Sequence, residues 1–289
     1  MRIAIAGASG NLGRRTADDI LEKIDPTDLV LVTREPSRLA AYAARGVAVR
    51  FGDYDQPESL APAFAGVERL LLISATEIGR RVAQHVAAIV AAKATGVGHI
   101  VYTSITNPSP SNPVVVAAEH RSTEEAIRAS GMAWTFLRNS IYAEIQVGSL
   151  LPALTSGQLV HNQGTGSCAF VARDDCAAVA AAVLATDGHE FETYDVTGPE
   201  LLTADRTVAI TSEVAGASVA AVAVDDEAYA SGLVEYAALP EQLASSLATF
   251  GRAIREGHQA QLSNVVELLT GRPATPFASV VRANLPVAV

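Results

Sequence analysis

Gly7, Gly10 and Gly13 recur at three-residue spacing directly after the apolar run Arg2–Ala6. Each glycine has a separate use. Gly7 permits a tight turn out of a strand. Gly10 lets backbone amides approach a pyrophosphate. Gly13 lets the following helix pack closely on the strand. With Ser9, Asn11 and Leu12 between them, these residues are expected to cradle a dinucleotide. The other reading is a plain glycine-rich turn.

The next residues able to do chemistry lie at strand ends. Arg34 follows the run Leu29–Val32, where a guanidinium pairs with a 2′-phosphate. It points to NADPH, with NADH as the other choice. Beside Glu35 it also reads as an ordinary solvated charge. Asp53 and Tyr54 follow Val47–Phe51. Asp53 is placed to accept from the adenine amino group, with Tyr54 flanking the ring, or to serve as a turn residue. Ile73, Ser74, Ala75 and Thr76 lie at the end of the run Arg69–Ile73 and just after it, where a nicotinamide ribose is expected to lie.

Proton donors are scarce. No tyrosine has a lysine four residues later, and the chain has only two lysines, Lys23 and Lys93. The Tyr-x-x-x-Lys relay of ordinary short-chain dehydrogenases is therefore missing. His120, at the start of a helix after Glu119, is the leading assisting group; a structural hydrogen bond is the alternative. Tyr102 is a secondary catalytic candidate, and Tyr142 a substrate-side one; either also reads as a packed phenol. His85, His99, His161, His189 and His258 lack metal-ligand spacing, so no metal is expected. Asp174 and Asp175 read as helix caps.

The missing relay narrows the acceptor. Hydride addition to an ordinary ketone creates an alkoxide, which needs a strong donor. Addition to a quinone creates a phenolate-like anion, whose basicity is near tyrosine's pKa of about 10. That anion needs less help, and proximity to the hydride donor carries much of the rate.

Strand and helix signals alternate through the first half. Strands are predicted at Arg2–Ala6, Leu29–Val32, Val47–Phe51, Arg69–Ile73, His99–Thr103 and Ala133–Leu137. Between them helices are predicted at Arg14–Ile24, Pro36–Arg45, Pro57–Phe64, Gly79–Thr95 and Glu119–Ser130. In the first helix Thr16 is placed on the solvent side. Such short apolar strands require a buried parallel sheet with helices on both faces, a Rossmann-type doubly wound α/β fold. Beyond Ile141 the rhythm breaks. A helix is expected at Ile141–Leu154, a loop or hairpin at Ser156–Ser167, a strand at Ala169–Ala172, and a helix at Cys176–Thr186 capped by Asp175. Strands at Thr193–Thr197 and Ser218–Val224 follow. The dinucleotide-binding domain is placed at 1–150, with 169–198 returning to the sheet. Residues 151–289 form a smaller, mainly helical lobe on the substrate side.

A chain of 289 residues, 49% hydrophobic and 18% charged, is globular. The net charge of −10 excludes a nucleic-acid backbone as partner. No apolar run is long enough to span a membrane, and the first one is too short for a secretion signal. Cys168 and Cys176 suit free thiols in a cytoplasmic location. Arginine-over-lysine bias with abundant alanine suits a GC-rich bacterial genome.

Several segments, in this order, resemble the NmrA-like, atypical short-chain dehydrogenase/reductase family, above all its quinone-reducing bacterial members. They are residues 6–13, 31–39, 46–60, 66–74, 91–104, 118–144 and 270–281. The resemblance places Gly7, Ser9, Gly10, Asn11, Leu12 and Gly13 on the pyrophosphate. It places Arg34 near the adenosine ribose phosphate, Asp53 near adenine, and Ile73 and Ser74 by the ribose. Residues 138–142, Asn139 among them, would line the nicotinamide side. Ser9 and Asn11 stand where members often carry Thr and Gln, and residues 107–116 match little. The implied activity is NAD(P)H-dependent reduction of a quinone or related aromatic molecule. A polycyclic anthraquinone made as a polyketide is one such substrate, with a partner protein then directing oxygen onto the reduced ring. A homodimer is the other expected association. Since the family also holds regulators, a non-catalytic redox sensor is the alternative.

Overall fold

Short leucine-, isoleucine- and valine-rich runs that are apolar on both sides can only be buried strands. The computed structural model, which describes residues 1–285, shows them as one seven-stranded parallel sheet. Its strands are β1 (Ile3–Ala6), β2 (Leu29–Thr33), β3 (Ala48–Phe51), β4 (Arg69–Leu72), β5 (His99–Ile105), β6 (Ala133–Asn139) and β8 (Glu192–Val196). Their order is β3-β2-β1-β4-β5-β6-β8, with every pair parallel. This is the doubly wound Rossmann order, with the crossover between β1 and β4. All residues of β1, β2, β4 and β5 are buried, while the edge strands β3 and β8 are largely half-exposed or exposed.

One face of the sheet is covered by α1 (Asn11–Ile20), α7 (Arg173–Ala185) and α11 (Val265–Thr270). The other is covered by α3 (Leu60–Phe64), α4 (Arg81–Ala94) and α5 (Ala117–Ser130). Ala88, Ala91 and Ala92 line the inner face of α4, where small side chains let helix and sheet approach closely. A further apolar cluster joins α6 (Ala143–Ser156), α8 (Ala204–Ala215) and α12 (Phe277–Asn284). The remaining helices are the short α2 (Ala40–Ala43), α9 (Asp226–Ala237) and α10 (Glu241–Arg255). No described helix is long and apolar enough to cross a membrane.

Several expectations need correction. Thr16 is fully buried, not solvent-facing, because its hydroxyl donates to the Leu12 carbonyl at 2.9 Å. The stretch Ser156–Ser167 contains a strand, β7 (Gln158–His161), which pairs in parallel with β9 (Ala220–Ala223), so it is no hairpin. Ala169–Ala172 is not a strand; only isolated bridges, Tyr142 to Val171 and Cys168 to Leu202, touch that stretch. Asp175 does not cap α7. Ala172 holds the cap position, and the Glu144 carboxylate accepts the Arg173 amide at 3.0 Å. Asp175 instead accepts from Arg272 Nη1 at 2.6 Å and from the Thr275 amide at 2.7 Å. It thereby ties residues near the end of the chain to α7.

Candidate active site

A cleft of about 390 Å³ opens over the carboxyl ends of β1, β2, β3 and β4. Open α/β sheets bind ligands at this crossover crevice, because two neighbouring connections leave in opposite directions there. Gly7, Ser9, Gly10 and Asn11 form one wall. Gly7 has φ +82°, a conformation that needs glycine. A Cβ on Gly13 would stand 2.6 Å from the Gly7 carbonyl oxygen, so this position sets the close approach of α1 to the turn. Leu12 and Gly13 are buried behind the wall and do not line it. Ser9 is held from below, where the Thr33 hydroxyl donates to its Oγ at 2.8 Å.

The residues present fit a dinucleotide phosphate. Helix α1 has no side-chain cap and no acidic residue in its first turn, so its terminal amides remain available to an anion. At Gly10 a Cβ would already press the Gly7 carbonyl at 3.3 Å and fill the cradle.

Arg34 lines the cleft and is exposed. Glu35 pairs with Arg38 at 3.6 Å rather than with Arg34. Arg38 also borders the cleft, a second cation that reasoning from the strand end alone overlooked. The Arg-x-x-x-Arg spacing across the single turn Pro36–Leu39 was its sequence signal. Asp53 lines the cleft too, but its carboxylate accepts from the Asp55 amide at 3.1 Å and lies 3.4 Å from Gln56 Nε2. It is a turn residue that also faces the cleft. Tyr54 lies against it, with its hydroxyl donating to the Ile73 carbonyl at 3.2 Å. Burial pushes the Tyr54 phenol well above its usual range.

Ile73 and Ser74 form the opposite wall, and Ala75, Thr76, Glu77 and Gln84 extend it. Ala75 and Thr76 belong to the segment expected by the ribose after the fourth strand, whereas Glu77 in the following loop and Gln84 on α4 were not anticipated.

Besides Leu12 and Gly13, four expected site residues lie away from the cleft lining. Asn139 is buried, with Nδ2 donating to the Tyr142 hydroxyl at 3.3 Å and Oδ1 without a partner. The Tyr142 ring lies under the Arg173 guanidinium at 4.9 Å. Tyr102 and His120, the secondary and the leading assisting candidate, are buried at 0% and 5% exposure and do not line the cleft; the packed phenol and the structural hydrogen bond are the readings that this burial fits. Helix α5 starts at Ala117, so His120 sits on its inner face against β5. Arg81 Nη2 donates to His120 Nε2 at 3.1 Å, and arginine has no acceptor to offer. His120 Nδ1 therefore carries the hydrogen and donates it to the Tyr102 oxygen at 2.8 Å. Burial, aided by Arg81, pushes the His120 pKa well below its usual value. It is a neutral structural imidazole.

The NAD(P)H-binding family is matched over residues 7–187, which include the glycine wall and the whole cleft. The chain belongs to this NAD(P)H-binding, NmrA-like family. Quinone oxidoreductase 2 of Escherichia coli (strain K12) is 36% identical over 276 residues, covering 96% of each chain. Among solved structures of relatives, the E. coli NADPH-dependent quinone oxidoreductase complexed with NADPH superposes with a TM-score of 0.94. It is 35% identical and covers 97% of this chain and 99% of its own. The Citrobacter sp. triphenylmethane reductase complexed with NADP(H) gives a TM-score of 0.92 at 36% identity, covering 98% of this chain and 100% of its own. The cleft over β1 and β4 lies within the matched residues, and its uncapped helix end suits the phosphates of a dinucleotide.

Proposed function

We propose that this chain is an NADPH-dependent reductase that delivers hydride to a quinone-type, conjugated aromatic acceptor. The observation that carries this reading is a cleft with a phosphate cradle and neither histidine nor lysine in its lining, where the one tyrosine, Tyr54, already donates its hydroxyl to the Ile73 carbonyl. Behind that lining His120 is bonded to Arg81 and Tyr102, and His85 to Thr123. An acceptor that turns into a weakly basic anion is the substrate such a cleft can serve.

Each residue has a stated task. The amides after Gly7 and Gly10 hold the pyrophosphate. Arg34, with Arg38 beside it, holds the 2′-phosphate and favours NADPH over NADH. Asp53 and Tyr54 flank the adenine, and the Ile73–Ser74 wall seats the ribose. Asn139 and Tyr142 belong to the nicotinamide and substrate side. Bound NADPH supplies the hydride, and the proton that completes the hydroquinone comes from water. The similarity to proteins named for quinone and triphenylmethane reduction supports the acceptor class. The finer form of the reading is a polycyclic anthraquinone reduced in the cytoplasm and passed to an oxygenating partner.

The test is NADPH oxidation followed by absorbance with benzoquinones, naphthoquinones, an anthraquinone and a saturated ketone. Turnover with quinones and none with the ketone is expected. Tight NADPH binding with no turnover on any acceptor would instead establish the sensor.

A further inference from the structure

The backbone leaving β4 forms the cleft wall, and its peptide groups are held one by one. The Ile73 amide donates to the Ala6 carbonyl at 3.3 Å, in continuation of the strand. The Ile73 carbonyl accepts from Tyr54, and the Ser74 amide donates to Thr103 Oγ1 at 2.9 Å. The Ala75 amide donates to His85 Nε2 at 2.8 Å. Beyond the cleft, the Gly79 amide donates to Glu119 Oε1 at 2.7 Å. The loop from Ala75 to Gly79 is therefore pinned near both ends, to α4 and to α5.

His85 is 1% exposed and does not line the cleft. Because Nε2 accepts, Nδ1 carries the hydrogen and donates to Thr123 Oγ1 at 2.9 Å. The Thr123 hydroxyl then donates to the Glu119 carbonyl at 2.9 Å. Every partner in this chain has one available direction, so one tautomer is selected.

We propose that His85 is a positioning residue for hydride transfer: its Nε2 lone pair holds the Ala75 amide and so fixes the wall on which cofactor and acceptor meet. The proposal rests on the reductase reading. The groups that face the imidazole are Arg81 on its own helix, Tyr54 and Tyr102 with ring centres at 6.3 and 5.5 Å, and His120 from α5. Burial, then Arg81, lowers the His85 pKa to about 3, so it stays a neutral acceptor throughout the working pH range. It is neither acid nor base in the reaction.

Two substitutions separate positioning from chemistry. In His85→Gln the side-chain oxygen reaches the place of Nε2 and can accept from Ala75. In His85→Asn the shorter amide keeps a donor near Thr123 but leaves Ala75 unheld. Hydrogen–deuterium exchange of the 73–80 peptide should show Ala75 protected in the parent and in His85→Gln. Exchange should be at least tenfold faster in His85→Asn. Single-turnover NADPH oxidation with a quinone should slow at least tenfold in His85→Asn, with NADPH affinity changed less than threefold. His85→Gln should stay within about threefold of the parent, with a parallel pH profile from 5.5 to 9. If His85→Asn does not fold, Thr123→Val replaces it, and loosening of Ala75 by threefold or more is expected. Unchanged exchange in both loosened variants overturns the proposal. So does a His85→Gln protein as slow as His85→Asn, or one whose pH profile has lost an ionisation. The exchange readout needs no turnover. A parent that fails to oxidise NADPH with any of the acceptors therefore defeats the reductase reading, separately from the Ala75 result.

Discussion

Arg81 donates to His120 Nε2 across 3.1 Å inside the protein, between the first turn of α4 and the first turn of α5. The guanidinium is 7% exposed, and its Nε has no hydrogen-bond partner. An imidazole beside a buried cation cannot hold a second proton, so His120 is removed from proton donation and given to packing.

His120→Ala should therefore damage the fold more than the chemistry. Removing the acceptor leaves a buried guanidinium short of a partner, a loss of about 1–3 kcal/mol. Hydride transfer to a quinone should fall by less than the roughly 10²–10⁴-fold expected for an essential general acid. Tyr102→Phe should be milder on both counts. Urea denaturation and single-turnover NADPH loss measure the two effects separately. Near-complete loss of hydride transfer in a folded His120→Ala protein would contradict the neutral assignment.

Acid should destabilise this protein early. Burial, with Arg81 and Arg69 adding to it, lowers His85 to about 3 and His99 to about 4. His120 is lowered as well. The unfolded chain takes up these protons below about pH 6.5, while the folded chain refuses them. The stabilisation is thus complete above pH 6.5 and is lost as pH falls towards 4 and then 3. Each such histidine contributes a slope of about 1.4 kcal/mol per pH unit in that window. Urea midpoints between pH 8 and 4.5 should show the decline, and His99→Gln should flatten it by one histidine's share. A midpoint that does not move between pH 7 and 5 would refute the assignment.

Arg34→Ala should weaken NADPH much more than NADH. A charge-assisted hydrogen bond is worth about 1.5–3 kcal/mol, so a tenfold or larger selective loss is expected. Arg38→Ala should show a smaller loss of the same kind, because Glu35 already engages that guanidinium. Titration of cofactor fluorescence reads both. Equal losses for the two cofactors would remove Arg34 from the 2′-phosphate.

Asp175→Ala should loosen the end of the chain. This fully buried carboxylate accepts from Arg272 and from both the amide and the hydroxyl of Thr275. The change leaves the Thr275 amide and hydroxyl without their acceptor, and an unpaired buried donor costs about 1–3 kcal/mol. Arg272→Ala should cost less, since that guanidinium is 44% exposed and the Thr275 donors remain. Limited proteolysis near residues 271–276, together with thermal unfolding, checks the difference.

The parallel sheet and the glycine wall were legible in the sequence because both are local. Each strand is a short run buried on both sides, and the turn from Gly7 to Gly13 is written within seven neighbouring residues. Arg34, Asp53, Tyr54, Ile73 and Ser74 were found for the same reason, since each follows the end of a strand and the strands end at one rim. Tertiary structure alone decided the rest. Residues 158–161 became a strand because Ala220–Ala223 lies beside them, and nothing near β7 announces that pairing. Asp175 met Arg272 from 97 residues away, so a local reading saw only a helix start. His85 and His120 look alike in the sequence as polar residues in helical patterns. Packing of α4 against α5 gives both an inward direction, one towards the Ala75 amide and the other towards Arg81 and Tyr102. Periodicity tells which face of a helix is buried, but the partner waiting there is set by the neighbouring element, and no local pattern carries that information.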